Sequence, residues 1–202
     1  MPRIKMLLLG HMGITLGAAA TAEATRLRLS RRRARLETGR VSLREPLVSL
    51  SHRIDLRVLL VGSLLPDMID KPLGLVLLPT VFGGGRLYAH TLLFVLALAI
   101  AGLIARSLSG KTTLLVLAYG SAMHLVLDGM WRTPDVLLWP ALGPMPASHA
   151  AQGWLMRLLA GLTQNPAAYS SEIAGAIMLA PLIVVVIRRR EIGRFLRTGV
   201  VD

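Results

Sequence analysis

Residues 120–140, GSAMHLVLDGMWRTPDVLLWP, follow the apolar run 112–119 and carry two ionisable side chains, His124 and Asp128. Because they are four residues apart, both side chains lie on one face of a helix. Ionisable groups at membrane depth are energetically costly, usually face the interior of a helix bundle and are functional by default. Imidazole and carboxylate groups are natural metal ligands. The alternative is a hydrogen bond that ties two helices together.

The composition indicates a membrane protein. Of the 202 residues, 53% are hydrophobic, and the mean hydropathy is +0.60. The chain has no cysteine, which excludes disulfides, thiolate metal sites and cysteine nucleophiles. Its formal net charge is +12, but most arginines lie beside apolar segments. That placement suits anionic lipid headgroups and topology control better than nucleic-acid binding.

The first apolar segment, 4–22, contains His11 and is rich in glycine and alanine. Its length fits a membrane span, and its small residues allow another helix to approach closely. A signal peptide is the alternative, but a histidine in the middle of the apolar run argues against it. We therefore predict a retained span.

The second apolar segment, 56–82, is interrupted by GSLLPDMIDKP. Pro66 and Pro72 disrupt helical hydrogen bonding, and irregular backbone at membrane depth requires protein or a water-filled cavity around it. Asp67 and Asp70 lie in this break, three residues apart, so both can face one way. The alternative is a helix end with capping aspartates at the water interface. The apolar sequence that follows favours a buried break.

The remaining apolar segments predict a third span that begins at His90, a fourth that contains His124, and a last one over 172–187. Together the segments predict an all-α, polytopic transmembrane helix bundle of about five spans, with the second span broken. The whole chain, 1–202, is predicted to form a single membrane-embedded domain.

Basic residues predict the orientation of this bundle, because excess arginine marks the cytoplasmic side of a membrane. With five spans, the basic loop 23–55, the short loop 106–111 and the arginine-rich carboxyl terminus all fall on the cytoplasmic side. The connection 132–171 is then extracytoplasmic. Within it, residues 150–162 are predicted to form an amphipathic helix in the membrane interface.

The orientation also predicts how deep the polar residues lie. At about 1.5 Å per helical residue, histidines and carboxylates from four spans reach the outer half of a core about 30 Å thick. This shared layer predicts one polyvalent site for a divalent metal. Ligands without sulfur suit zinc, with manganese or iron as alternatives, and one to three ions are possible. The predicted metal ligands are His11, Asp67, Asp70, His90, His124 and Asp128.

At these residues the sequence resembles the YdjM/YbcI-type family of membrane-bound, metal-dependent hydrolases. That family has an early-helix histidine, a G-x-L-x-P-D-x-D-like break, an H-R-G-x-T-H-S-like span entrance and an H-x-x-x-D span followed by W-P. The corresponding elements here are His11, GSLLPDMID, GRLYAHT and HLVLD, with Trp139-Pro140 last. The resemblance covers roughly residues 5–145, and the order and spacing of its elements make it fairly specific.

The sequence departs from the family pattern at three places. Gly85 stands where the family often has a histidine, Ala89-His90-Thr91 replaces T-H-S, and the carboxylate spacing in PDMID is one residue longer. The family is distantly similar to zinc-dependent phospholipase C and the single-strand-specific nucleases. This similarity implies hydrolysis of a phosphoester, in which metal ions activate water and polarise a phosphoryl oxygen.

Under that reading, the predicted catalytic residues are Asp67, His124, Asp128 and Arg86, with Arg86 as a bidentate donor to phosphate. Snorkelling to lipid headgroups is the alternative role for Arg86. The expected partners are membrane lipids and a lipid or lipid-linked phosphate substrate. Two other functions stay open: an ion-coupled transporter, which also uses broken helices, and a non-catalytic scaffold with a structural His/Asp cluster. The oligomeric state stays open as well.

Overall fold

A computed structural model of the chain describes residues 7–33, 44–78, 84–146 and 166–201, together with positions 81 and 156. No strand occurs among these residues, so the all-α prediction is confirmed. The α-helices in the described part of the chain are α1 (Leu8–Arg33), α2 (Arg44–Ser51), α3 (Leu56–Gly62), α4 (Leu65–Lys71), α5 (Leu92–Ser109), α6 (Thr113–Leu127), α7 (Pro134–Leu137), α8 (Pro166–Arg188) and α9 (Ile192–Thr198). A π-helical turn spans Pro72–Leu77, and 3-10 turns span Tyr88–His90 and Met130–Arg132.

Two of the described helices are long and apolar enough to cross a membrane, Leu92–Ser109 and Tyr169–Arg188. The five-span prediction is therefore not clearly supported, and the reason differs from segment to segment. The second predicted span is divided among short pieces, α6 has only 15 residues, and arginines occupy the carboxyl-terminal part of α1. What the fold supports is an all-helical protein with two candidate spans.

The predicted break in the second apolar segment is confirmed. Helix α3 ends at Gly62, and α4 begins two residues after Ser63 with Pro66 in its first turn, where a proline costs no hydrogen bond. Pro72 then ends α4 and begins the π-helical turn. The short helix α4 therefore carries both aspartates between two irregular points.

The polar regions differ from the predicted loops. The basic region 23–55 is not one loop, because α1 continues to Arg33 and α2 occupies Arg44–Ser51. Arginine and leucine are good helix formers, so charge alone does not end a helix. In the connection 132–171, α7 and the beginning of α8 are helical. The interfacial helix expected over 150–162 lies outside the described residues, apart from position 156.

Close contacts between glycines bring the helices together around α6 and α1. A Cβ atom on Gly13 of α1 would lie 2.0 Å from the carbonyl oxygen of Gly175 in α8. A Cβ atom on Gly120 of α6 would lie 2.6 Å from the carbonyl carbon of Gly62. Helix α6 also contacts α1, α4 and α5. Small residues thus allow the backbones to approach, and α6 lies beside every element that carries a candidate site residue.

Candidate metal centre

The six predicted ligands lie close together although they come from four parts of the chain. His11 comes from α1, Asp67 and Asp70 from α4, and His90 from the 3-10 turn before α5. His124 lies on α6 and Asp128 caps the end of that helix. The three histidines and Asp70 are fully buried, and 16% and 7% of the side chains of Asp67 and Asp128 are exposed. All of them except Asp70 belong to two groups of three side chains that could hold a metal ion.

One set of three side chains, the His90 group, consists of Asp67, His90 and His124. The Nε2 atoms of His90 and His124 are 3.3 Å apart. Asp67 Oδ1 lies 3.5 Å from His90 Nε2 and 3.8 Å from His124 Nε2. The three ligand atoms therefore form a compact triangle that could hold a metal ion.

A second set, the His11 group, consists of His11, His124 and Asp128. His11 Nε2 lies 3.4 Å from Asp128 Oδ1, and its ring stacks on His124 with centroids 4.0 Å apart. Neither ring nitrogen of His11 has a hydrogen-bond partner among the described residues. Because a buried polar atom without a partner costs free energy, a ligand for this imidazole would stabilise the site.

Asp70 contacts the Nδ1 side of the His90 ring. Its Oδ2 atom accepts hydrogen bonds from the backbone N–H groups of Leu87 and His90, and Oδ1 accepts one from Ala89. His90 Nδ1 lies 2.7 Å from Oδ2. With four contacts on its two oxygens, Asp70 orients the ring rather than pointing at the other ligands. Such a carboxylate–histidine pair typically fixes the tautomer of a metal-binding histidine.

Hydrogen bonds also determine which nitrogen of each ring is available. The carbonyl oxygen of Ser63 lies 2.8 Å from His124 Nδ1 and can only accept, so Nδ1 carries the proton. In the neutral ring, Nε2 then has no proton and carries a lone pair. If His90 Nδ1 likewise donates to Asp70, two lone pairs face each other at 3.3 Å. A cation between them removes this repulsion.

The ligand spacing fits a transition metal. Two ligands at about 2.0–2.1 Å from a tetrahedral ion are about 3.4 Å apart. The observed spacings of 3.3, 3.4, 3.5 and 3.8 Å lie near that value. Because His124 Nε2 has a single lone pair, it ligates one ion, so the two groups overlap at this residue. The described residues therefore fit a divalent metal held by nitrogen and oxygen ligands.

Two cationic side chains pair with the carboxylates of Asp67 and Asp128. Arg86 donates from Nε and Nη2 to Asp128 Oδ2, at 2.9 and 2.6 Å. Lys71 Nζ donates to Asp67 Oδ2 at 2.5 Å. Arg86 thus pairs with a predicted metal ligand, a contact that the sequence did not predict.

Sequence reasoning missed Lys71 and two positioning groups. Glu172 of α8 accepts hydrogen bonds from the backbone N–H groups of Leu7, Leu9 and Gly10, at 2.8, 2.9 and 3.0 Å. It therefore caps the helix that carries His11. The Ser63 carbonyl is the second group. Glu172 was visible in the sequence as a carboxylate at the start of an apolar segment, whereas a backbone carbonyl has no sequence signal.

The comparisons with known proteins agree with the membrane assignment. No curated protein and no solved structure matches the chain. The family model described as "YdjM inner membrane protein" matches residues 6–192. That match spans nearly the whole chain, including every residue of the candidate metal centre, and it agrees with the two apolar helices. The chain therefore belongs to the YdjM family of inner membrane proteins.

Proposed function

We propose that the protein is a membrane-bound, metal-dependent hydrolase that acts on a phosphoester bond in a lipid or lipid-linked substrate. The observation that carries the proposal is the pair of buried imidazole Nε2 atoms 3.3 Å apart, with Nδ1 of each ring held by Asp70 or by the Ser63 carbonyl. His90, His124 and Asp67 would hold a divalent ion, and His11 and Asp128 would complete one ion or share a second. Zinc suits this donor set best.

A divalent ion at this position would supply a bound water of lowered pKa and polarise a phosphoryl oxygen. The residues of the chain then orient and shield the reaction. Asp70 keeps the ring of His90 in place, and the fully buried histidines exclude bulk water from the inner side. Arg86 lies at the outer side, where its guanidinium suits a phosphoryl oxygen.

The proposal includes a topology of five spans with the amino terminus outside, the carboxyl terminus cytoplasmic and the site in the outer leaflet. The three basic clusters support this orientation. Reporter fusions after residue 40 and at residue 202 should both report cytoplasm, and an external report from either fusion contradicts it.

Purified protein in detergent or lipid should release product from a phosphoester lipid, and a chelator should stop the release. His124→Ala and Asp128→Ala should abolish turnover yet still insert in the membrane, because neither change removes an apolar segment. Arg86→Ala should retain metal but weaken turnover of the anionic substrate. Turnover by wild-type protein that resists chelators, or no turnover of any phosphoester lipid by metal-loaded protein, argues against a metal-dependent phosphoester hydrolase.

The alternative is a non-catalytic bundle in which His90 Nε2–H donates to the lone pair of His124 and ties α6 to the segment before α5. That arrangement also relieves the contact between the two rings. It predicts a lower melting temperature in His124→Ala, no metal in the wild type, and no response of any activity to a chelator. An ion-coupled transporter would instead move a solute without water-dependent turnover.

A further inference from the structure

The two carboxylates that line the candidate metal centre divide their oxygens in the same way. Asp67 Oδ1 faces His90 and His124, while Oδ2 accepts from Lys71. Asp128 Oδ1 faces His11, while Oδ2 accepts from Arg86. Each carboxylate therefore has one oxygen toward the histidines and one that pairs with a cation, and Asp128 Oδ2 lies in addition 3.9 Å from His90 Nε2.

The two cations are more exposed than the carboxylates with which they pair. The histidines are fully buried, whereas 41% of the Lys71 side chain and 29% of the Arg86 side chain are exposed. An anion that approaches the centre from outside thus meets these two side chains first. Because lysine and arginine hold phosphate oxygens through charge-assisted hydrogen bonds, they suit such a ligand.

The two carboxylates that pair with these cations approach the same ring atom, because His90 Nε2 lies 3.5 Å from Asp67 Oδ1 and 3.9 Å from Asp128 Oδ2. A Cβ atom on Gly85 would lie 3.3 Å from Lys71 Cγ, so the stem of this lysine lies against the residue that precedes Arg86. Exposed apolar side chains occur on the elements around Lys71, with Met68 in α4 and Val76 in the following π-helical turn 57% and 62% exposed. Exposed apolar side chains near Lys71 suit the hydrocarbon part of an amphiphile.

The balance of charge at the candidate metal centre indicates which anionic headgroup it suits. Without an ion, Lys71 and Arg86 neutralise Asp67 and Asp128. Asp70 adds a third carboxylate, so one divalent ion leaves one positive charge in excess, and an ion in each ligand group leaves three, enough to neutralise a dianion. A phosphate monoester carries close to two negative charges above pH about 6, whereas a phosphodiester carries one.

We propose that Lys71 and Arg86 form a two-cation clamp for a terminal phosphate monoester on an amphiphile. This inference rests on the proposed function and specifies its substrate class. Lys71 acts in it as a specificity residue that favours the dianion over the monoanion. In the alternative, Lys71 forms only a helical ion pair with Asp67, which contributes little to stability at an exposed position.

The test measures binding of methyl phosphate, a dianion at pH 8, and dimethyl phosphate, a monoanion, to zinc-supplemented protein by calorimetry. Wild type should bind methyl phosphate at least about tenfold more tightly than dimethyl phosphate. Lys71→Met should lose most of that preference, Lys71→Arg should retain it, and Lys111→Met, in an exposed loop, should match wild type.

Absence of methyl phosphate binding by wild type, or an unchanged preference in Lys71→Met, overturns the clamp. A lower melting temperature in Lys71→Met with an unchanged preference identifies an ordinary ion pair and also overturns it. Metal content and turnover, measured on the same samples, separate this failure from failure of the hydrolase proposal. If Lys71→Met keeps its metal content and turnover, and still prefers methyl phosphate to dimethyl phosphate as wild type does, only the clamp is wrong.

Discussion

The two ligand groups of the candidate metal centre are held in place by different means. In the His90 group, Asp70 fixes His90, and it does so with hydrogen bonds to residues 17 to 20 positions away in the chain. In the His11 group, neither ring nitrogen of His11 has a hydrogen-bond partner among the described residues. That ring is positioned by stacking on His124, by Asp128 Oδ1 at 3.4 Å from Nε2 and by the contact of α1 with α8.

This difference separates a preorganised site from one that depends on its ligand. The His90 group has its rings oriented before any ion arrives, so little rearrangement opposes binding. The position of His11 relies on Glu172, more than 160 residues away, which caps the start of α1. We therefore expect the His90 group to bind metal more tightly, and the four substitutions below test that ranking.

The largest effect is expected from the ligand that both groups share. His124→Ala removes a nitrogen from each group, so metal content should fall below about a tenth of that in wild type, because an ion with an open coordination sphere is readily lost. Asp128→Ala removes a ligand from the His11 group alone and should lower metal content by less, because the His90 group keeps all three of its ligands. Elemental analysis of protein purified without chelator measures both. His52→Ala is the matched control, and equal metal loss in that variant would show a nonspecific effect.

A smaller effect is expected from the residue that orients His90. Asp70→Asn keeps the shape but removes the negative charge and one acceptor, so metal affinity should fall about 10–100-fold. Competition with a chromophoric chelator measures this affinity. Asp135→Asn changes an exposed aspartate and should bind as wild type. Wild-type affinity in Asp70→Asn would mean that the backbone alone orients His90.

The smallest effect is expected from the helix cap that supports His11. Glu172→Gln keeps part of the hydrogen bonding to the start of α1 but loses its charge, which interacts favourably with a helix amino terminus. Affinity should fall several-fold, by less than in Asp70→Asn. Glu45→Gln, which removes a surface partner of Arg31, should change neither affinity nor metal content. A loss in Glu172→Gln that exceeds the loss in Asp70→Asn would reverse the ranking of the two groups.

Sequence patterns could predict which residues meet but not how each one acts. Residue type and spacing within the apolar segments singled out His11, Asp67, His90, His124 and Asp128, whereas the argument from depth assumed five spans that the fold does not clearly support. The support given by Asp70 depends on three backbone N–H groups in an irregular turn, which no periodicity describes. The pairing of Arg86 with Asp128 likewise depends on tertiary packing.

The number of spans was harder to predict than the site. Apolar length indicates a span only if the segment forms one continuous helix, and the segment 56–82 is divided by its prolines into short helices. Helix α1 shows the opposite error, since the helix continues to Arg33 beyond its apolar part. Hydropathy indicates which segments are apolar enough to lie in lipid, whereas the length of a helix also depends on helix propensity and packing.

The metal content of wild-type protein tests the central claim most directly, because every proposed role depends on an ion at the facing Nε2 atoms of His90 and His124. Protein purified without chelator, or stripped and incubated with zinc or manganese, should contain at least one ion per chain, and His124→Ala prepared in parallel should contain almost none. Wild-type protein that holds no metal after purification and regains none from zinc or manganese would contradict the account.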